Sequence, residues 1–192
     1  MAYLSSLLGK PVADVDGERI GSVKDIIASV RSEIPHPEIV ALVVKRPGGT
    51  LLVPIADIAV LVAPAIPLNH RLKDIVPYQP SEHDLYLARD VLDKQIIDTN
   101  GVRVVRVNDL ELARVNSHFY IANVDIGPLG LLRRLGLAHL AQKLAKRLGR
   151  ELKLGSISWD SVDGDALANW ILCTKQAIRH IRSEHGDSLV QV

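Results

Sequence analysis

"LGKPVADVDGERIGSVKD", residues Leu8 to Asp25, has a counterpart in "LDKQIIDTNGVRVVRVND", residues Leu92 to Asp109. The two align without a gap at a constant offset of 84 residues, pairing Lys10 with Lys94, Asp14 with Asp98 and Gly17 with Gly101. Arg19 then pairs with Arg103, Val23 with Val107 and Asp25 with Asp109. A period this long decides the architecture before any single element does. In each stretch an apolar run meets Asp16-Gly17 or Asn100-Gly101 and a second apolar run follows. Asp-Gly and Asn-Gly between such runs predict a hairpin with a type I′ turn, which needs positive φ at both central residues.

A second hairpin follows each first one. Ile39–Val44, the turn Pro47-Gly48-Gly49 and Thr50–Val53 form it in the first half. In the second half "HFYIANVDIG" and "LGSISWDSV" supply the strands, and a long insertion replaces the turn. Two twisted hairpins bury their edges best by closing into a small barrel. "VPYQPSEHD", residues 76–84, has the proline and polar content of a boundary, and "LNHRLKDIVPYQP" reads as a strap leaving the first barrel. The longest apolar run, "IAVLVAPAIPL" from Ile58 to Leu68, is about half the ~20 residues of a spanning helix and holds two prolines. It predicts a buried strand and then an extended loop.

Length and composition agree with this frame. The chain has 192 residues, 47% hydrophobic and 23% charged, enough for a sizeable core. One cysteine, Cys173, rules out a disulfide framework and suits a reducing compartment. The first residues lack a basic region followed by an apolar one, so no signal peptide is expected.

These hairpins, with "LLGKPVADVDGERIGSVKDIIA" followed by "LLVPIADI", resemble the PRC-barrel family. The second half, through "LARDVLDKQIIDTNGVRVVRVNDLELARV", "VDIGPLGLLRRLG" and "SISWDSV", resembles the paired PRC-barrels ahead of the cytoplasmic domains of bacterial MgtE-like magnesium transporters. The resemblance implies a mainly β fold with accessory helices and two tandem PRC-like small β-barrels; the helical spacing of the tail adds a C-terminal helix. The expected divisions are residues 1–80, residues 81–164 with a basic helical insertion at 129–153, and residues 165–192. It further implies a non-catalytic cytoplasmic binding or regulatory module associated with magnesium transport. The expected partner is a protein, such as a membrane transporter met on its cytoplasmic side. The alternative is an RNA- or ribosome-associated assembly factor, because PRC-barrels also resemble a domain of a ribosome-maturation factor.

Asp14, Asp16, Glu18 and Asp25 stand at calcium-loop positions 1, 3, 5 and 12, but Arg19 occupies the position that needs glycine. Hairpin chemistry is therefore preferred to a metal site. The insertion is strongly basic: Leu131–Lys153 carries seven cations against Glu151 alone, in a chain of formal net charge +1. The segment reads first as a solvated helix packed on its barrel; the alternative makes Arg133, Arg134, Lys143, Lys146, Arg147 and Arg150 the contacts for an acidic protein surface or anionic lipid. Nucleic acid ranks lower, since no aromatics are interleaved for stacking. Leu167, Trp170, Ile171 and Ile178 make a helical stripe that reads as core packing or, as the alternative, as a docking or homodimer face. Cys173 and the seven histidines show no catalytic or metal-ligand spacing, and no catalytic residue, metal or cofactor is expected.

Overall fold

A computed structural model describes residues 2–30, 36–97, 104–137 and 155–159. Its first half begins with a two-residue strand β1 (Ala2–Tyr3) and a single turn α1 (Leu4–Leu7). Then come β2 (Pro11–Ala13), the long β3 (Arg19–Ser29), β4 (Glu38–Arg46) and β5 (Gly49–Pro54). After a 3-10 turn at Ile55–Asp57, β6 (Ile66–Pro67) pairs in parallel with β2. The second half runs β7 (Asp84–Tyr86), a π turn at Leu87–Val91, β8 (Gln95–Ile97), β9 (Val104–Arg106), β10 (Asp109–Val115) and β11 (His118–Asp125). A short helix α2 (Pro128–Arg134) and the strand β12 (Ser156–Ser158) complete it. Among the described residues no helix is long and apolar enough to cross a membrane.

The Asp16-Gly17 hairpin forms, but not with the expected turn. Gly17 N donates to Asp14 O at 3.0 Å and Asp14 N to Glu18 O at 2.9 Å, and only Gly17 takes a positive φ, +82°. This is a three-residue connection ending in a left-handed glycine, with a bulge where Ala13 meets Arg19. Asp14 explains the choice: its Oδ1 accepts the N–H groups of Asp16 and Glu18, both at 3.0 Å, and holds the loop in an Asx turn. The corresponding Asn100-Gly101 lies outside the described residues. The apolar run Ile58–Leu68 also departs from expectation. Only Ile66 and Pro67 form a strand; Leu61 is buried, while Val60 and Val62 are exposed at the loop tip. Pairing stops after the Ile58–Leu68 bridge and the bond from Ala59 N to Pro67 O, and Pro64 in the loop has no N–H to continue it.

Strands of both halves join one ten-stranded, curled half-barrel sheet, ordered β1-β10-β11-β4-β3-β2-β6, with β12 on β11, β5 on β4 and β7 on β3. β8 and β9 form a separate pair. The expectation was of two barrels in succession. The described residues place the first strand of each half against a strand of the other: β1 on β10 and β7 on β3. One core results, with Leu4, Leu7, Ile26, Ile39, Leu42 and Val53 from the first half against Leu85, Leu87, Leu110, Leu112, Ile121, Val124 and Trp159 from the second. A smaller cluster of Ile27, Ala41 and Val43 lies on the outer face of the first half and is covered by Tyr78 of the strap. Tyr78 N donates to Leu52 O at 2.9 Å, so the strap doubles back along β5.

Several hydrogen bonds recur at the offset seen in the sequence. Gly9 N to Val23 O and Val23 N to Lys10 O return as Asp93 N to Val107 O and Val107 N to Lys94 O. Gly9 has φ +79° and Asp93, its counterpart, φ +65°. Asp93 is thus one of two non-glycine residues with positive φ among the described residues. The bulge between Ile27 and Ala28 in β3 returns between Glu111 and Leu112 in β10. The offset then shifts locally. It is 82 between β4 and β11, whose pairings Leu42–Val53 and Val124–Ile157 correspond. It is 83 for Tyr3 and Tyr86, because the π turn holds one residue more than α1.

Candidate functional site

The halves meet along a seam held by reciprocal contacts. Asp25, only 6% exposed, accepts the backbone N–H groups of Ala88 (2.7 Å) and Arg89 (3.1 Å) in the other half, as well as Ile26 N (2.7 Å). Asp109, fully buried, accepts Ser5 N (3.0 Å) and Ser5 Oγ (2.6 Å) from the first half, and Leu110 N (2.9 Å). Each carboxylate therefore satisfies N–H groups in the opening turn of the other half, groups that a helical turn leaves unpaired. The backbone pairings are equally reciprocal: Ile27–Tyr86 and Ala28–Leu85 answer Glu111–Tyr3 and Leu112–Ala2. Burial pushes the Asp25 carboxyl above its ordinary value, partly opposed by its three N–H donors and reinforced by the nearby Asp90 charge.

At the centre of the seam Glu38 of β4 pairs with Tyr120 of β11. Under the offset of 82 these two residues correspond to one another, so this pair marks an approximate twofold axis. His118 Nδ1 lies 2.5 Å from Glu38 Oε1, His36 Nδ1 lies 2.9 Å from Ile121 O, and Ile121 N donates to Pro37 O at 3.0 Å.

Each opening strand carries a tyrosine covered by an arginine. Arg89 lies 4.0 Å above the Tyr86 ring and Arg133 lies 3.5 Å above Tyr3, placements that suit cation–π attraction. Arg133 comes from α2, which starts at Gly127 with Pro128 in its first position. α2 sits close to β11 because Gly130 has no side chain; a Cβ there would lie 3.0 Å from the Asp125 carboxyl. Arg133 turns inward. Its Nη2 donates to Asp125 Oδ2, and its Nε stands 3.9 Å from Asp109 Oδ2. Burial raises the Asp125 carboxyl, with the Gly127 N–H and the Arg133 charge pulling the other way. Arg134 donates to both oxygens of Asp93, at 2.8 and 2.9 Å, and Arg106 shares Asp93 Oδ1. These bonds, that to Arg134 first, hold the Asp93 carboxyl below its usual value.

The two arginines named as contacts for an outside partner are therefore engaged within the protein. Counting basic residues along the chain cannot show which of them turn back onto an acid. Lys143, Lys146, Arg147 and Arg150 lie outside the described residues, as do Leu167, Trp170, Ile171 and Ile178. Leu131, Leu135 and Leu137 are exposed at the end of α2.

A second candidate is an open cleft of about 590 Å³ at the first hairpin, lined by Asp14, Asp16, Glu18, Arg46, Leu51 and Arg71, with Leu72 and Lys73. Asp16 is paired with Arg71 at 2.6 Å, and Asp14 is occupied by the turn. Among the described residues no three His, Cys, Asp or Glu side chains are grouped to hold a metal.

Sequence reading noted Asp25 and Asp109 only as matching letters. It missed the tyrosines because the offset drops from 84 to 83 across the opening turn. Aligning "YLSSLLGK" with "YLARDVLDK" with one inserted residue would have paired them. No curated protein matches the chain. Residues 1–65, from β1 to the loop before β6, match the PRC-barrel domain.

Proposed function

We propose that the chain is a non-catalytic binding and assembly module made of two PRC-like units, acting on a partner on the cytoplasmic side of a divalent-cation transporter. The observation that carries the two-unit reading is the reciprocal seam, in which Asp25 and Asp109 perform the same service for opposite halves. The match of residues 1–65 to the PRC-barrel domain supports assigning the first unit to that class, in which binding rather than catalysis is the common use. The transporter setting rests on the resemblance of the second-half sequence to the paired barrels of magnesium transporters. Because Arg133 and Arg134 are held by Asp125 and Asp93, the charges left to recruit a partner are Lys143, Lys146, Arg147 and Arg150.

The test is a pull-down from native membranes with the wild-type chain beside a variant with those four residues changed to Glu. The reading expects a divalent-cation transporter among the wild-type partners and its loss with the variant. Identical partner lists would refute the role of the basic segment. Co-sedimentation with ribosomes, falling steeply with salt, would replace the transporter reading with the ribosome-associated one.

A further inference from the structure

We propose that the seam is a docking interface in its own right, that its cognate partner is a second unit of the same kind, and that Glu38 selects a partner unlike itself. This rests on the two-unit reading above. Each half offers an opening strand and turn and receives the other's, so the contact is isologous, as in a twofold dimer. The receiving surfaces are alike as well. Ile26 and Ala28 on one side and Leu110 and Leu112 on the other are at most 1% exposed, and so are the inserted Leu4, Leu7, Leu87 and Val91. These apolar contacts are alike on the two sides, although Arg133 over Tyr3 and the Ser5 hydroxyl on Asp109 have no counterpart across the seam among the described residues.

A further distinction comes at the axis. Glu38 meets Tyr120 and His118 across the seam. Two first halves placed in the same geometry would set Glu38 directly against a second Glu38, and like charges opposite one another in a sheet repel. Two second halves would set Tyr120 against Tyr120. The Glu38 carboxylate thus disfavours pairing of a first half with itself and directs it to a unit of the second type. That unit is either its own covalent neighbour or the same half of another copy of this chain.

The experiment starts from the folded full chain. A protease recognition sequence is inserted among Gln79–Glu82, which are exposed, and two differently tagged preparations are cut and mixed. The proposal expects both fragments to co-elute at the size of the uncut chain. Prolonged incubation should exchange first halves between second halves, with pairs of first halves below a tenth of the mixed pairs by native mass spectrometry. In the Glu38→Gln protein, pairs of first halves should rise at least fivefold. Fragments that separate at micromolar concentration overturn the proposal: if each keeps its native circular dichroism the two-unit reading survives, and if they unfold it falls too. Equal amounts of like and unlike pairs in the wild type would refute the role of Glu38.

Discussion

Replacing Asp25 by Ala tests the seam most directly. The change removes one acceptor from three backbone N–H groups, those of Ile26, Ala88 and Arg89. An orphaned buried donor costs about 1–3 kcal/mol. Ile26 N is buried and takes the upper part of that range, whereas water can reach the partly buried Ala88 and Arg89 groups. Some of the loss is offset, because an ionised Asp25 is itself disfavoured by burial. The net expectation is a loss of about 2–4 kcal/mol, a lowering of Tm by roughly 5–15 °C for a chain of this size. Asp109→Ala orphans Ser5 N, Ser5 Oγ and Leu110 N and should cost a similar ~2–4 kcal/mol. Urea denaturation gives the size of each loss, and amide hydrogen exchange gives its location. Asp25→Ala should speed exchange in the turn at Leu87–Val91, and Asp109→Ala should speed it in Leu4–Leu7. A loss under about 1 kcal/mol in either variant contradicts the assigned bonds. Faster exchange confined to the mutated residue's own half would contradict the reciprocity.

Three further changes probe the surroundings. Arg133→Leu strands Asp125, which is 4% exposed, and should cost about 2–4 kcal/mol at neutral pH. The folded pKa of Asp125 lies above its unfolded value, so stability should recover as pH falls through that interval; a pH-independent deficit in thermal melts would refute the pairing. For Asp93 the sign reverses: its folded pKa is lowered, so its contribution is present above the ordinary carboxylate value near ~3.9 and fades as the pH falls through the lowered one. Asp93→Asn tolerates the positive φ, and its stability should fall less than wild type's in that acid interval; parallel pH curves would count against the Arg134 and Arg106 contacts. Gly21→Ala would place Cβ 2.2 Å from Lys45 O in β4, forcing the strands apart, and should cost about 3 kcal/mol by denaturant titration. Unchanged stability would show that the β3–β4 register is wrong.

Local geometry was well written in the sequence. Two backbone hydrogen bonds recur at the offset of the repeat, together with a left-handed backbone at Gly9 and Asp93. The turn type was misread because a dipeptide rule does not see Asp14, whose side chain stabilises a longer loop two and four residues on. What binds the halves was not legible. β1 pairs with β10 more than a hundred residues away, and a two-residue strand has no periodicity to detect. Nor does composition reveal that Arg133 lies above Tyr3 rather than in solvent.

The two outer faces differ where the backbone agrees. Ile27, Ala41 and Val43 of the first half lie beneath Tyr78; the corresponding places in the second hold Glu111, Asn123 and Asp125, with Asn123 bonded to Glu111 and Asp125 to Arg133. Two identical chains around a twofold axis present the same face twice, and a ligand can approach either side with equal right. A single polypeptide escapes that degeneracy. Its frame has a greasy side covered by Tyr78 and Tyr86 and a charged side keyed by an arginine, so front and back present different chemistry.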